Sequence, residues 1–291
     1  MPGAFIIRSH SVRGVLLAGA ALALAVPAFA HPAFEDIERH TEGIVAARPE
    51  DPVSYIDLAQ TRRLAGNWDG ALLALEHAAA HGARPVEVSA LRGAIFFDAG
   101  WANMALFEAD RALALEPAQP QVQILRAKAC MALGRPADAA RAMRVAIDGM
   151  KGPTPDHVLA LRDALLAAGD RAGALAALDL GLTRIGPVPS LALPALDLEL
   201  ELGRNEEALR RIDAMLATNP KNEAWLARRG DVLDRLGRRE EARLARADAL
   251  AAIQSRPDSR RGERSATLER ELRAALVSDN DVPAKAGERT R

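Results

Sequence analysis

The chain has 291 residues, with 38 Lys and Arg against 39 Asp and Glu, a net charge of −1. That balance argues against a basic nucleic-acid-binding field and against an acidic, unstructured chain, and 3% aromatic residues are too few for a platform that stacks bases. A single cysteine, Cys130, rules out an intramolecular disulfide and reads as a small buried apolar residue.

Residues 1–30 read as a secretory leader. Arg8 and Arg13 precede an apolar run, "GVLLAGAALALAV", over residues 14–26. Pro27 follows, then Ala28-Phe29-Ala30, with small residues where a signal peptidase needs them. The run has 13 residues, whereas a bilayer-spanning helix needs roughly 20. The expected cut after Ala30 leaves His31 as the new N-terminus and a mature chain of 261 residues (291 − 30). No later stretch is apolar enough to span a membrane. The expectation is therefore export to the periplasm or beyond. A chain of this length is long for one compact core and ordinary for a repeat array.

The body of the chain repeats with a period of 34. Gly66, Gly100 and Gly134 are spaced 34 apart, and so are Gly169, Gly203 and Gly237. One extra residue separates the two sets, in "GMKGPTPDH" (149–157). Five residues after each glycine stands an alanine: Ala71, Ala105, Ala139, Ala174, Ala208 and Ala242. Twelve after it stand Ala78, Ala112, Ala146, Gly181, Met215 and Ala249. Each unit reads as helix, glycine turn, helix, turn. Glycine supplies the backbone freedom that ends the first helix, and alanine lets neighbouring helices approach.

This register resembles the tetratricopeptide repeat family over about residues 52–253. Fragments such as "AGNWDGALLALEHA", "LGRPADAARAM" and "LGRNEEALRRIDAMLATNP" carry the resemblance. It implies an all-α, right-handed superhelical solenoid of about six helix-turn-helix repeats that holds a protein or peptide in its concave groove. Arg162 and Leu196 stand where the family has a small residue at the helix crossing, and Pro194 falls in the first helix of repeat 5. That helix is expected either to begin near Pro194 or to kink there. Residues 31–51 hold an N-terminal capping helix (33–47). Residues 254–277 hold a linker and a C-terminal capping helix, with Leu268, Leu272 and Leu276 on one stripe. Residues 278–291 read as a disordered tail.

In this family the first helix of each repeat lines the groove. The position six before each glycine gives Gln60, Ala94, Lys128, Asp163, Asp197 and Asp231. One turn later come Arg63, Phe97, Met131, Leu166, Leu200 and Asp234, with Glu201 adjacent. The resemblance thus implies a groove whose first half carries Arg63, Phe97, Lys128 and Met131. Its second half is an acidic ladder suited to a basic, or N-terminal-amine-bearing, peptide segment. Arg162 stands beside Asp163, and Arg228 and Arg235 stand near Asp231, so internal pairing competes with that role. The family's lysine–asparagine–arginine clamp for a C-terminal carboxylate is not matched.

His77 and His81 lie four apart on a helix, on one face, as metal ligands need. With His31 they form a candidate metal set, set against an ordinary solvated helix end favoured by the dipole. No nucleophile motif, phosphate loop or dinucleotide fingerprint is present, and no cofactor is implied. The sequence thus points to a non-catalytic binding scaffold. A metal-handling periplasmic protein and a structural subunit of an envelope assembly are the alternatives.

Overall fold

A computed structural model describes residues 32–257 and 262–281. Among them stand fourteen helices and no strand. The first is α1 (Pro32–Ala47). Six pairs follow: α2 (Pro52–Leu64) with α3 (Trp68–Ala80), α4 (Pro85–Asp98) with α5 (Ala102–Leu115), and α6 (Pro120–Ala132) with α7 (Pro136–Gly149). The second set is α8 (Pro155–Ala167) with α9 (Arg171–Ile185), α10 (Pro189–Glu201) with α11 (Asn205–Thr218), and α12 (Glu223–Arg235) with α13 (Arg239–Gln254). The last is α14 (Glu263–Asp281). The architecture is an all-α repeat solenoid.

The sequence punctuates these helices at both ends. Proline occupies the first helical position of α2, α4, α6, α8 and α10, where its missing N–H costs nothing. Asp51 accepts from the Val53 N–H at 3.1 Å, and Asn222 from the Trp225 N–H at 3.2 Å. At the other end all six repeat glycines have positive φ, between 67° and 83°. The residue after each glycine donates back across the turn: Trp101 N–H to Phe96 O at 2.8 Å, Arg135 N–H to Cys130 O at 2.8 Å, Arg238 N–H to Leu233 O at 2.9 Å. This bond closes a Schellman turn and satisfies a carbonyl that the helix leaves open. A side chain at those glycines would be strained in every repeat.

The alanine register is the packing register. All six alanines five residues after the glycines are 0% exposed. Gly181 stands twelve after Gly169, and a Cβ there would lie 2.7 Å from Val158 Cγ1. Large side chains fill the spaces between. Leu75, Ile95, Leu178, Leu191, Ile212 and Leu233 are fully buried, each worth about 1.5–3 kcal/mol of apolar transfer. The core is a string of layers: one cluster spans Phe96 to Leu198, and the next spans Ala192 to Ala245. They abut at α10.

Pro194 neither starts nor ends α10, which begins at Pro189 and runs through it. The bond lost is the one to the carbonyl of Ser190, an exposed residue that solvent can serve. At the ends, α1 is tied to α2 by Arg62, which reaches Glu38 at 2.9 Å and Glu42 at 2.7 Å. Leu272 and Leu268 of α14 join Leu226, Ala249 and Ile253 in the terminal core cluster. Helix α14 runs on to Asp281, into the segment expected to be a tail. Nothing in "SDND" breaks a helix, and the first proline after it is Pro283. The expected leader (1–30), His31 and residues 282–291 lie outside the described residues.

Candidate functional site

Helices α2, α4 and α6 form one wall by placing equivalent residues side by side. Three positions of the 34-residue register face the same cavity, of about 630 Å³. The position six before the glycine gives Gln60, Ala94 and Lys128. The position three before it adds Arg63 and Phe97, and the position ten before it adds Ile56, Ala90 and Ile124. The last row was not singled out from the sequence. Its signal was present, because it lies one helical turn before the first row in the same register.

A second cavity, of about 360 Å³, continues the first toward repeat 4. Phe97, Ile124 and Lys128 line both. Met131 and Met143 complete its apolar wall, and Ala127, Ala160 and Ala164 leave the space that larger side chains would fill. Gln60, Arg63, Phe97, Lys128 and Met131 are thus brought together as one surface.

The charges on that surface are not equivalent. Arg63 is paired with Asp98, and its Nε is buried without a hydrogen-bond partner among the described residues. Glu87 is held by Arg84 at 3.0 Å. Lys128 is exposed and has no ion-pair partner among the described residues. Behind it Cys130 points into the core, and burial pushes its thiol up from the ordinary range.

The second half of the groove is built differently. Asp163, Asp197 and Asp231 are exposed on α8, α10 and α12, as the register requires. Asp163 is bound by Arg162 at 2.6 Å, and Glu201 faces Arg171 at 3.6 Å. Asp231 and Asp234 share Arg246, which lies 3.5 Å from Asp231. Arg228 and Arg235 were the neighbours expected to compete for that role; neither is paired with Asp231 among the described residues. Arg228 instead lies over the Trp225 ring, 5.9 Å from its centre. Arg246 reaches across from α13 because Gly230 leaves room: a Cβ there would meet Arg246 Cγ at 2.9 Å. Asp197 is the rung without an ion-pair partner among the described residues. The ladder is present, and most of its charge is matched within the chain.

His77 and His81 do share a face, and Tyr55 occupies it. Both rings stack on the tyrosine with centres 5.3 Å away, at interplanar angles of 19° and 2°. His81 Nδ1 also lies 3.1 Å from Glu50. Among the described residues no cluster of three His, Cys, Asp or Glu side chains is placed to hold a metal ion. No described helix is long and apolar enough to cross a membrane.

No protein-family model matches the chain. No curated protein matches it either. Solved structures do. The C-terminal part of a TPR repeat-containing protein from Cytophaga hutchinsonii superposes with a TM-score of 0.57 at 13% identity, over 81% of this chain and 94% of that one. The complex of Naa15/Naa10 bound to HypK-THB gives 0.51 at 17% identity, over 88% of this chain and 38% of that one. A chain of the APC/C hetero-tetramer Cut9-Hcn1 gives 0.48 at 18% identity, over 69% and 39%. The chain therefore spans about two-fifths of the length of the latter two. At these identities the likeness is one of fold, and the fold is that of a tetratricopeptide-repeat solenoid.

Proposed function

We propose that the protein is an exported, non-catalytic scaffold that seats an extended segment of a partner protein in the groove of repeats 1–3. The observation that carries this reading is the pair of adjoining cavities between α2, α4, α6 and α8, lined by one repeated register. A cavity of 630 Å³ lies inside the range of about 300–1,000 Å³ usual for ligand sites. Its wall mixes apolar side chains, such as Ile56, Phe97 and Ile124, with nearly as many polar and charged ones, such as Gln60, Gln121 and Lys128, and the adjoining smaller cavity is almost wholly apolar. The leader-like residues 1–30 support export. The acidic second half, where Asp197 has no ion-pair partner among the described residues, would meet a basic part of the same partner as a weaker contact.

A photo-crosslinking amino acid placed at Ala94 or Ala160 tests the groove. Crosslinks to partner proteins are expected from these positions. The competing reading, a structural subunit, is favoured by Leu73 on α3 and by Met104 and Phe107 on α5, exposed at 54%, 48% and 62%. Crosslinks from Leu73 and Phe107 only would sink the groove reading in favour of that one. Export is checked separately. The mature protein should be recovered from the periplasm with His31 at its N-terminus, and a full-length cytoplasmic product would refute it.

A further inference from the structure

We infer that the groove of repeats 2 and 3 selects a peptide carrying a large apolar side chain two positions from a carboxylate. This rests on the groove reading above and names the chemistry of its ligand. The cavity of about 360 Å³ formed by Phe97, Ile124, Met131 and Met143 is walled by carbon. Its two methionines adapt to side chains of differing shape. An apolar side chain leaving water for this site gains burial without stranding a polar group.

The electrostatics fix what stands beside that side chain. Of the four charged side chains lining the two cavities, three are matched: Arg63 with Asp98, and Glu87 with Arg84. Lys128 remains, and it borders both cavities. Arg84 is itself shared with Glu116, so the lining as a whole is close to neutral; the charge that a ligand meets between the two cavities, without an ion-pair partner among the described residues, is the Lys128 ammonium, and it complements a carboxylate. In an extended peptide, alternate side chains share a face at a spacing of about 6.6 Å. An apolar residue and an Asp or Glu two positions away thus both face the groove. The complementarity is opposite in sign to that of the aspartate row in repeats 4–6.

A random dodecapeptide library displayed on phage is selected against the purified, folded protein. Synthetic versions of the selected peptides are then measured by fluorescence anisotropy. The expected consensus has a large apolar residue two positions from Asp or Glu. Lys128→Glu should weaken those peptides by about tenfold or more, because it sets like charges together. Reselection against Lys128→Glu should replace the acid by Lys or Arg. Circular dichroism of each variant establishes that it is folded. A consensus of basic residues overturns the inference. So do peptides that lose binding in Phe97→Asp yet ignore Lys128→Glu, an outcome that leaves the groove reading standing. Peptides indifferent to both variants, or no selected peptide at all, overturn the groove reading itself. Laurate is run as the rival occupant. Saturable laurate binding that is lost in Phe97→Asp, with no peptide selected, assigns the cavity to an amphiphile and overturns the inference.

Discussion

Repeats 1–3 and repeats 4–6 share one register and use it differently. At the helix crossing, seven residues before the turn glycine, the first three have Ala59, Gly93 and Ala127. The next two have Arg162 and Leu196, and repeat 6 returns to Gly230. Small residues let the paired helices touch: a Cβ on Gly93 would stand 3.3 Å from the Ala105 carbonyl and 3.0 Å from Leu125. In repeats 4 and 5 the crossing is filled by side chains instead. Leu196 is 1% exposed, and Arg162 turns to Asp163. The first half has its groove cations offset or unmatched above an apolar cavity. In the second half Arg211 and Arg246 tie neighbouring helices, Asp163 pairs with the arginine beside it, and Asp197 has no ion-pair partner among the described residues. Identical backbone periodicity thus leaves two surfaces with different capacity for a ligand.

The sharpest way to break the second half is through its buried ion pair. Arg211 binds Glu199 at 2.8 Å and Asp179 at 2.7 Å, and Glu199 is 3% exposed. Arg211→Met should cost about 4 kcal/mol, because Glu199 is left buried and unpaired. Urea unfolding should show the loss, and Arg211→Met/Glu199→Leu should recover much of it. A single variant as stable as the parent would refute the role. Next comes the filled crossing. Leu196→Ala opens a void and should cost about 3 kcal/mol. Neighbouring repeats are coupled only to each other, so hydrogen exchange should quicken in α10 and α11 while α2–α5 keep their protection. Uniform loosening along the chain would contradict the division into halves.

The reverse change tests the first half. Gly93→Leu overfills a crossing built for no side chain and should cost about 2 kcal/mol, with the lost protection centred on α4 and α5. Equal tolerance of leucine at positions 93 and 196 would erase the contrast. The smallest effect belongs to the surface ladder. Asp163→Asn removes an exposed pair and should change stability by less than about 0.5 kcal/mol. A larger loss would mean that Arg162 depends on that contact for its position at the crossing.

The turn glycines and packing alanines made the fold legible in the sequence, because each answers a local demand: a left-handed backbone, or a helix at close approach. The faces of the first helices were legible for the same reason, since a position fixed in one repeat is fixed in all. What stayed hidden depends on pairs of helices. Asp231 stands three residues from Arg228, yet its partner Arg246 comes from the next helix through the gap at Gly230. Arg63 reads as a groove cation until α4 brings Asp98 against it. His77 and His81 share a face, and the Tyr55 ring stacked against both comes from α2. Spacing along one helix shows which side chains share a face, and says nothing of what arrives there from another.

The one-residue insertion between repeats 3 and 4 has its own fastening. Arg184, near the end of α9, donates to the carbonyls of Ile147 at 3.1 Å and Met150 at 2.9 Å, at the end of α7. Tandem arrays grow and shrink by copying or losing whole units, which works when every junction is interchangeable. This junction is not. Repeat 4 carries an arginine that serves two carbonyls at the end of repeat 3, next to the inserted residue. The two units are matched neighbours through these bonds, which tie the inserted residue's loop to the repeat that follows it.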